Sequence, residues 1–482
     1  MRTKAVAKYL GFVLLFNALF LYISAAISLF LRENSLTPLL YSAVVCTILG
    51  LFPQIFVEKI DEINFREGMA ISVFGWFLTC FAGAVPYFMW GGEFTFANAL
   101  FESVSGYTTT GSTVLQDVEA LTKGMLFWRS STHFIGGIGI ILFVLLILPD
   151  SKGIRTSIYR SEVSGLSLMN FSMRAKRIVR IISIVYISLT VALILLLWIL
   201  GMSFFDAVCH SFATIATGGF STKNLSIAYY NNVWIEVTLT VFMYLSSLHF
   251  GMLFLTFTGS RNNIFTSKVI RSYTFIILIG ILLIAVNLIN SSGYTWGEAF
   301  RHASFQVVSL TSTTGSATLD TDVWPLFSKI VLIYFTIQCA MVGSTGGGIK
   351  FDRIYLFFVS LKRRIKLIQH PQGVYVTKMN GNVVTEELEL QTMAFIILYI
   401  LIFFVVTLLL AAMNIDGITA FTASITTIGN VGPGFGKTIS SLGNFAPLPD
   451  AAKYLLSINM LLGRLEILNV ITLMVILVKK NR

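Results

Sequence analysis

Four short clusters of threonine, serine and glycine are the residues of this sequence best suited to chemistry. Each cluster ends in a glycine, and a small residue lies six positions before it: Ser105, Ala213, Ser309 and Thr426. An alanine lies twelve positions before each glycine: Ala99, Ala207, Ala303 and Ala420. Rings of main-chain carbonyl oxygens can replace the hydration shell of a monovalent cation. The fourfold recurrence therefore predicts a cation filter.

The candidate filter consists of the glycine of each cluster and the residue before it. These residues are Thr110, Gly111, Gly218, Gly219, Thr314, Gly315, Val431 and Gly432. Glycine lets carbonyl groups face a common axis without an intruding side chain. A single copy would be read as a helix-breaking turn with a packing glycine, but four copies in register favour a filter. Since the copies share only one glycine layer, we expect fewer ordered ion sites than in filters with a longer signature.

The composition places these clusters in a membrane protein. Of the 482 residues, 55% are hydrophobic and only 12% are charged, whereas soluble domains carry about a quarter charged residues. The net charge of +11 does not indicate nucleic-acid binding, because the basic residues concentrate at the termini and in four connections, 59–66, 152–180, 261–271 and 350–378. Basic residues accumulate on the cytoplasmic side of membrane proteins. The glycine clusters are therefore expected on the outer side.

The apolar segments predict an all-α integral membrane fold with four pseudo-repeats around one pore. Each repeat is expected to contain a helix, a re-entrant pore helix, a filter loop and an inner helix, after two extra N-terminal helices, which gives about ten spanning helices. We assign residues 1–66 to the N-terminal pair and residues 67–176 to repeat 1 with a cytoplasmic loop. Repeat 2 takes residues 177–270, repeat 3 takes 271–390 with a gate loop and a basic loop, and repeat 4 takes 391–482.

Polar residues precede each pore helix and are expected to cap it. The pairs Ser203 with Asp206 and Thr295 with Glu298 match the capping box. The expected N-caps of the first and fourth pore helices are Thr95 and Asn414. With capped amino ends outside, the carboxyl ends point inward, and their partial negative charge favours a cation. In the third copy the cap lies about one turn further from the glycine, which predicts a longer helix.

A glycine-rich segment in the third inner helix, 343–350, is the candidate gate. It is not a phosphate-binding loop, because no strand precedes it and the lysine does not directly follow the last glycine of the pattern. Gly346, Gly347 and Gly348 are expected to break the helix and leave a flexible segment below the filter. A gate is the functional interpretation, and a passive kink is the alternative.

Arg464 lies near the centre of the last apolar segment, 451–478. A charged side chain at membrane depth costs about 3 kcal/mol or more, so it must face protein or water. Beside a cation pore, its positive charge would form a barrier or hold the gate segment. The alternative is a structural ion pair with a carboxylate on another helix.

A basic cluster near the end of the third inner helix consists of Lys362, Arg363, Arg364 and Lys366. It fits a topogenic loop beside anionic lipid, or a docking surface for a cytoplasmic regulator. We find no cluster of acids, histidines or nucleophiles at membrane depth in the sequence, so we do not expect an enzyme.

Six motifs together resemble the TrkH-type membrane subunits of the Trk, Ktr and HKT potassium transporters. They are TTTGST at 108–113, ATGGFST at 216–222, TSTTGS at 311–316, IGNVGPG at 428–434, GSTGGGIK at 343–350 and MLLGRLEI at 460–467. The resemblance covers essentially the whole chain. It implies filter roles for the four glycine loops, a gating role for residues 346–348 and a barrier role for Arg464.

The resemblance also implies channel-like potassium uptake across the inner membrane, with potassium as the substrate and no cofactor in this chain. The implied partners are lipid, a second copy in a homodimer and a cytoplasmic nucleotide-binding subunit like TrkA. Ser316 follows Gly315 where family members often place phenylalanine, which leaves open whether sodium also permeates. A sodium-coupled potassium symporter is the alternative function.

Overall fold

A computed structural model describes residues 2–58, 63–139, 175–261, 263–436, 438–465 and 467–479. Most of the basic connection 152–180 lies outside these residues. Two N-terminal helices come first, and the elements around each glycine cluster follow as repeats 1 to 4.

The helices follow one another in the order that the sequence predicts, and a short hairpin that the sequence does not predict follows the last helix of repeat 3. The N-terminal pair is α1 (Thr3–Leu31) and α2 (Leu36–Phe56), and repeat 1 holds α3 (Phe65–Trp90), α4 (Phe96–Tyr107) and α5 (Lys123–Ile138). Repeat 2 holds α6 (Ala175–Ile199), α7 (Phe204–Ile215), α8 (Val233–Ser247) and α9 (Phe250–Phe257). Repeat 3 holds α10 (Lys268–Ser292), α11 (Trp296–Thr311), α12 (Leu326–Gln338) and α13 (Phe351–Gln369), followed by a short antiparallel hairpin of β1 (Lys378–Met379) and β2 (Asn382–Val383). Repeat 4 holds α14 (Glu386–Ala412), α15 (Gly417–Gly429), α16 (Asp450–Arg464) and α17 (Ile467–Lys479).

Six of the described helices are long and apolar enough to cross a membrane without interruption: α1, α2, α3, α6, α10 and α14. These are the N-terminal pair and the first helix of each repeat. The count of about ten spans also includes the four inner segments, of which three show an interruption within the described residues. Helices α8 and α9 meet at a bend of 106°, while α12 and α13 are separated by non-helical residues, and α16 ends at Arg464, before the bend at Leu465.

The first helices of the later repeats expose large apolar side chains. Leu195 on α6, Leu282 on α10 and Phe404 on α14 are 47%, 49% and 56% exposed. Contiguous exposed apolar surface of this kind needs lipid or protein to cover it. Inside, one hydrophobic cluster joins mainly the N-terminal pair with repeats 1 and 4, and a second joins mainly repeats 2 and 3.

The pore helices α4, α7, α11 and α15 begin at polar caps, as expected, with one correction. The side chains of Thr95, Ser203 and Thr295 each accept a hydrogen bond from the main-chain amide three residues later. Asn414 is not the fourth cap, because Asp416 takes that role and accepts from the Thr419 amide at 3.1 Å. Asn414 has φ of +59°, a left-handed conformation that asparagine tolerates and an N-cap does not use. Helix α11 has 16 residues against 12, 12 and 13 in the others, so the predicted longer third helix is confirmed.

Candidate functional site

The four glycine loops adopt one backbone conformation. The glycines have φ of +79°, +78°, +73° and +100° in Gly111, Gly219, Gly315 and Gly432. Two residues earlier, φ is again positive, at +55°, +56°, +63° and +53° in Thr109, Thr217, Thr313 and Asn430. The residue between them lacks a positive φ in every copy. Because the sign of φ alternates from one residue to the next, successive carbonyl groups can point to the same side of the loop.

The three threonines in this set are under backbone strain. A positive φ is a genuine outlier for a β-branched residue, and such a conformation costs about 1–3 kcal/mol per residue. Strained residues of this kind persist where the surrounding structure fixes them, and they concentrate at functional sites. The same strain at equivalent positions of Thr109, Thr217 and Thr313 makes these loops the candidate functional region.

Each glycine lies against the loop of the next repeat, and the contacts close a cycle. A Cβ atom on Gly111 would collide with the carbonyl oxygen of Gly218, and one on Gly219 with that of Thr314. In the same way, Gly315 meets the carbonyl of Val431, and Gly432 meets that of Thr110. The contacts run from repeat 1 through repeats 2, 3 and 4 and back to repeat 1. All eight candidate filter residues therefore come together around one point.

The small residue and the alanine that recur before each glycine reflect how each loop folds back on its pore helix. The main-chain amide before each glycine donates to the carbonyl of the small residue six positions before the glycine, over 2.8–2.9 Å; the pairs are Thr110 with Ser105, Gly218 with Ala213, Thr314 with Ser309, and Val431 with Thr426. The alanine twelve positions before each glycine is fully buried in all four copies. The shared spacing is thus a shared hydrogen bond and a shared packing position.

The sequence analysis does not identify the side chains that hold the far limb of each loop, which is the stretch of chain after its glycine. Nine positions before the glycine, Glu102, His210 and Gln306 reach the chain beyond the loop in repeats 1, 2 and 3. In repeat 4 that position is an alanine, and Thr422 one residue earlier binds the main chain of Phe435 instead. Three of the four copies carry a polar residue at this spacing, but their different chemical types conceal the pattern.

Glu102 is part of a buried ion pair behind the loops of repeats 1 and 2. Its carboxylate lies 2.6 Å from the Arg129 guanidinium, and the two side chains are 0% and 3% exposed. The carboxylate also accepts from the amide of Val114 at 3.0 Å. Arg129 donates to the Ser221 carbonyl at 2.9 Å and lies over the Phe220 ring, 3.5 Å from its centroid. One ion pair therefore fixes the far limbs of two neighbouring loops.

Replacing Arg129 with Gln is expected to destabilise the protein strongly. Removing one partner of a buried ion pair leaves an uncompensated charge and costs about 3–5 kcal/mol. The matched control is Lys329→Gln, since Lys329 pairs with Asp322 at 3.1 Å where both side chains are partly exposed, and such pairs contribute about 1 kcal/mol or less. Thermal unfolding in detergent should separate the variants, and equal shifts of Tm would contradict a structural role for the buried pair.

The candidate gate segment is non-helical and lies under the filter loops. Helix α12 already ends at Gln338, so Gly346, Gly347 and Gly348 are not what ends it. They instead permit close packing: a Cβ on Gly346 would collide with Ala340 and Thr313, one on Gly347 with Asn430, and one on Gly348 with Cys339. The Gly347 amide also donates to the Thr313 hydroxyl at 3.4 Å. The segment is therefore in direct contact with the loops of repeats 3 and 4.

Hydrogen bonds join the gate segment to the bend in repeat 2. The Met341 amide donates to the Ser247 carbonyl at 3.0 Å, and the Phe250 amide donates to the Gly343 carbonyl at 3.0 Å. These bonds satisfy main-chain groups that the interruption between α8 and α9 would otherwise leave unpaired at membrane depth. The two interrupted inner segments thus satisfy each other's main-chain hydrogen-bonding groups.

Arg464 connects the gate segment to repeat 1. Its guanidinium donates to the Thr345 carbonyl, and to the carbonyls of Gly136 and Gly137 at 2.6 and 3.2 Å. Gly136 and Gly137 lie in the last turn of α5, where the Gly136 carbonyl also accepts from the Gly139 amide at 3.0 Å. Carbonyls at the carboxyl end of a helix carry partial negative charge. The positive charge is therefore held between the gate segment and a helix carboxyl end, at the point where α16 ends.

Comparison with known proteins identifies the family of this arrangement. Residues 40–482 match the model of TrkH, described as a cation transport protein. The chain belongs to the TrkH family. It is 33% identical to the Trk system potassium uptake protein TrkH of Escherichia coli (strain K12), over 98% of each chain. It is 32% identical to TrkG of the same strain, over 98% of this chain and 97% of TrkG.

A solved structure in the TrkH family has the same fold. The crystal structure of the potassium transporter TrkH from Vibrio parahaemolyticus matches with a TM-score of 0.89 at 30% identity, over 98% of both chains. The predicted fold class, family and multi-pass membrane character are therefore confirmed.

In this TrkH-family chain, the basic cluster on α13 divides into two kinds of residue. Lys362, Arg364 and Lys366 are exposed. Arg363 instead donates to the Tyr375 carbonyl at 2.8 Å and pairs with Glu386 and Glu389 at 3.1 and 3.3 Å. Arg363 thus ties α13 to the start of α14, and the three exposed cations remain as the outward-facing set.

Proposed function

We propose that this TrkH-family protein is a potassium uptake subunit of the inner membrane, with channel-like permeation through the ring of four glycine loops. The observation that carries the proposal is the closed cycle of contacts among Gly111, Gly219, Gly315 and Gly432. The names of the relatives, which are potassium uptake proteins, support the choice of ion. The proposed units of this pore begin close to the sequence boundaries at residues 66, 176, 270 and 390, each of which falls within the first two turns of the opening helix, namely α3, α6, α10 or α14.

In this proposal, potassium sheds its hydration shell at the ring and is held by main-chain oxygens of Thr110, Gly218, Thr314 and Val431 with those of the four glycines. The membrane potential drives uptake, because about 2.3 kcal/mol per elementary charge is available for each 100 mV. Passive permeation of this kind needs no cofactor and no bond-making step in the chain. Sodium follows the same path to the extent that the single glycine layer fails to reject it.

The gate in this proposal is the segment with Gly346, Gly347 and Gly348, held closed by Arg464. Contact between these glycines and the filter loops of repeats 3 and 4 supports a block directly on the permeation path. The guanidinium of Arg464 adds an electrostatic barrier to a permeating cation. Movement of the segment away from the Thr345–Arg464 contact would open the path.

The proposed assembly is a homodimer in lipid with a cytoplasmic nucleotide-binding regulatory subunit of the TrkA kind. The relatives are named as parts of a Trk system, which supports further subunits. On this chain, Lys362, Arg364 and Lys366 are the exposed cations that would meet an acidic surface of the regulator, while Arg363 contributes by holding α13 in place.

Rubidium uptake into proteoliposomes tests the proposed function. Purified protein should carry rubidium down a potassium-diffusion potential, potassium should compete, and sodium should compete less well. A requirement for sodium on the same side as rubidium would instead establish the symporter. Rubidium uptake no greater than in protein-free vesicles would contradict both.

A further inference from the structure

One filter loop departs from the others two residues before its glycine. Three copies have threonine at this position, namely Thr109, Thr217 and Thr313, and the fourth has Asn430. All four have positive φ, so the fourth loop keeps the backbone shape while its side chain differs. Asparagine is longer than threonine, and its amide carries the donor and the acceptor on two separate atoms. The side chain of Asn430 can therefore make connections that the threonines cannot.

The Asn430 amide group joins three parts of the molecule. Its Nδ2 donates to the hydroxyl of Thr110 at 3.0 Å and to the carbonyl of Met460 at 2.9 Å. Thr110 belongs to the filter loop of repeat 1, 320 positions away in the sequence, and Met460 belongs to α16 of repeat 4. A single side chain thus connects the first and last loops of the ring with an inner helix.

The other end of the amide group faces two glycines. The Asn430 Oδ1 is buried and accepts no hydrogen bond from the described residues. A Cβ placed on Gly347 or Gly463 would lie 2.5 or 2.9 Å from this oxygen, so both glycines leave room for it. Gly347 belongs to the gate segment, and Gly463 immediately precedes Arg464. The amide therefore packs directly against both elements of the proposed gate.

We propose that Asn430 is a positioning residue for ion selectivity, which closes the filter ring between repeats 4 and 1 and sets its width from the gate segment beneath. This inference rests on the proposed filter. The ring closes between two loops that are remote in sequence, and Ser112 adds a second bond at the same seam by donating to the Gly432 carbonyl at 3.0 Å. The seam is therefore held by side chains as well as by main-chain contact.

Replacing Asn430 with Thr tests this role with a residue that the other three loops already accept at positive φ. Loss of the bond to Thr110 is expected to lower the preference for potassium over sodium roughly fivefold, the factor that corresponds to a hydrogen bond of about 1 kcal/mol. The matched control is Asn459→Thr. Like Asn430, Asn459 is a buried asparagine, but it lies on α16. Its Nδ2 donates to the Ser424 carbonyl and the Thr427 hydroxyl of pore helix α15.

A double-mutant cycle assigns the effect to the bond itself. Thr110→Val removes the acceptor hydroxyl and should reduce the preference about as much as Asn430→Thr, with no further loss in the double variant. Thr314→Val removes the equivalent hydroxyl of repeat 3, which pairs with Ser312 at 2.8 Å as Thr110 pairs with Thr108. Its effect should multiply with that of Asn430→Thr, because those two side chains share no bond among the described contacts.

The outcomes separate this inference from the proposed function. If Gly315→Ser changes the ion preference while Asn430→Thr and Thr110→Val do not, the filter stands and the role of Asn430 is overturned. An equal change in Asn459→Thr would also overturn it, because loss of any buried amide would then suffice. If none of the filter variants changes the preference, the filter itself is contradicted. Should Asn430→Thr fail to fold, Thr110→Val alone still decides the question.

Discussion

Replacing Gly315 with Ser should reduce the preference for potassium over sodium by about tenfold or more. Gly315 has φ of +73°, and an added Cβ would collide with the Val431 carbonyl and lie 2.7 Å from Pro433. Strain of about 1–3 kcal/mol would shift this part of the ring, and about 1.4 kcal/mol is a factor of ten. The measurement is rubidium uptake into proteoliposomes at increasing sodium concentrations.

Gly297→Ser is the matched control for that prediction. Gly297 lies in the same repeat, in the first turn of α11, and a Cβ there would meet no atom within 4 Å. Its ion preference should equal that of the unchanged protein. If sodium inhibits rubidium uptake equally in Gly315→Ser and Gly297→Ser, the ring of glycines does not select the ion.

Replacing Arg464 with Ala should raise the flux about tenfold and leave the ion preference unchanged. Two unit charges roughly 10 Å apart interact by about 1–2 kcal/mol at an effective dielectric constant of 20, so removal of the guanidinium lowers the barrier to a cation by that order. The gate segment also loses its bond at the Thr345 carbonyl. Initial rates of rubidium uptake, divided by the amount of reconstituted protein, measure the change.

Arg464→Lys separates charge from hydrogen bonding in the same experiment. Lysine keeps the positive charge but cannot span the carbonyls of Thr345, Gly136 and Gly137 with one planar fork. Flux near the unchanged level would assign the effect to charge, and flux near that of Arg464→Ala would assign it to the fixed gate segment. A loss of flux in Arg464→Ala at normal expression, together with a lowered Tm, would argue for a purely structural arginine.

The sequence predicts most of what the four copies share. The recurrence of glycine, alanine and a small residue is enough to place the pore helices and the loops, because each spacing corresponds to a local hydrogen bond or packing position. The longer helix α11 follows from the position of Thr295, which caps it. The prediction of Asn414 as the fourth cap is wrong, since Asn414 and Asp416 are both good cap residues and only the backbone decides between them.

Contacts between distant residues account for what the sequence leaves undetermined. The bend between α8 and α9 depends on bonds to the gate segment about 90 residues later, so no local signal marks it. The pairing of Glu102 with Arg129, and the bond between Asn430 and Thr110, each require the folded ring. Neither interaction has an equivalent among the other described copies, which is why a comparison among the four copies does not show them.

The most direct test of the account is to locate a permeant ion in a crystal of the protein by anomalous scattering from rubidium. We predict density on the axis enclosed by Gly111, Gly219, Gly315 and Gly432, within coordinating distance of main-chain oxygens from all four loops. Rubidium density at other places only, with the axis empty in crystals of protein that transports rubidium, would contradict a filter at these glycines.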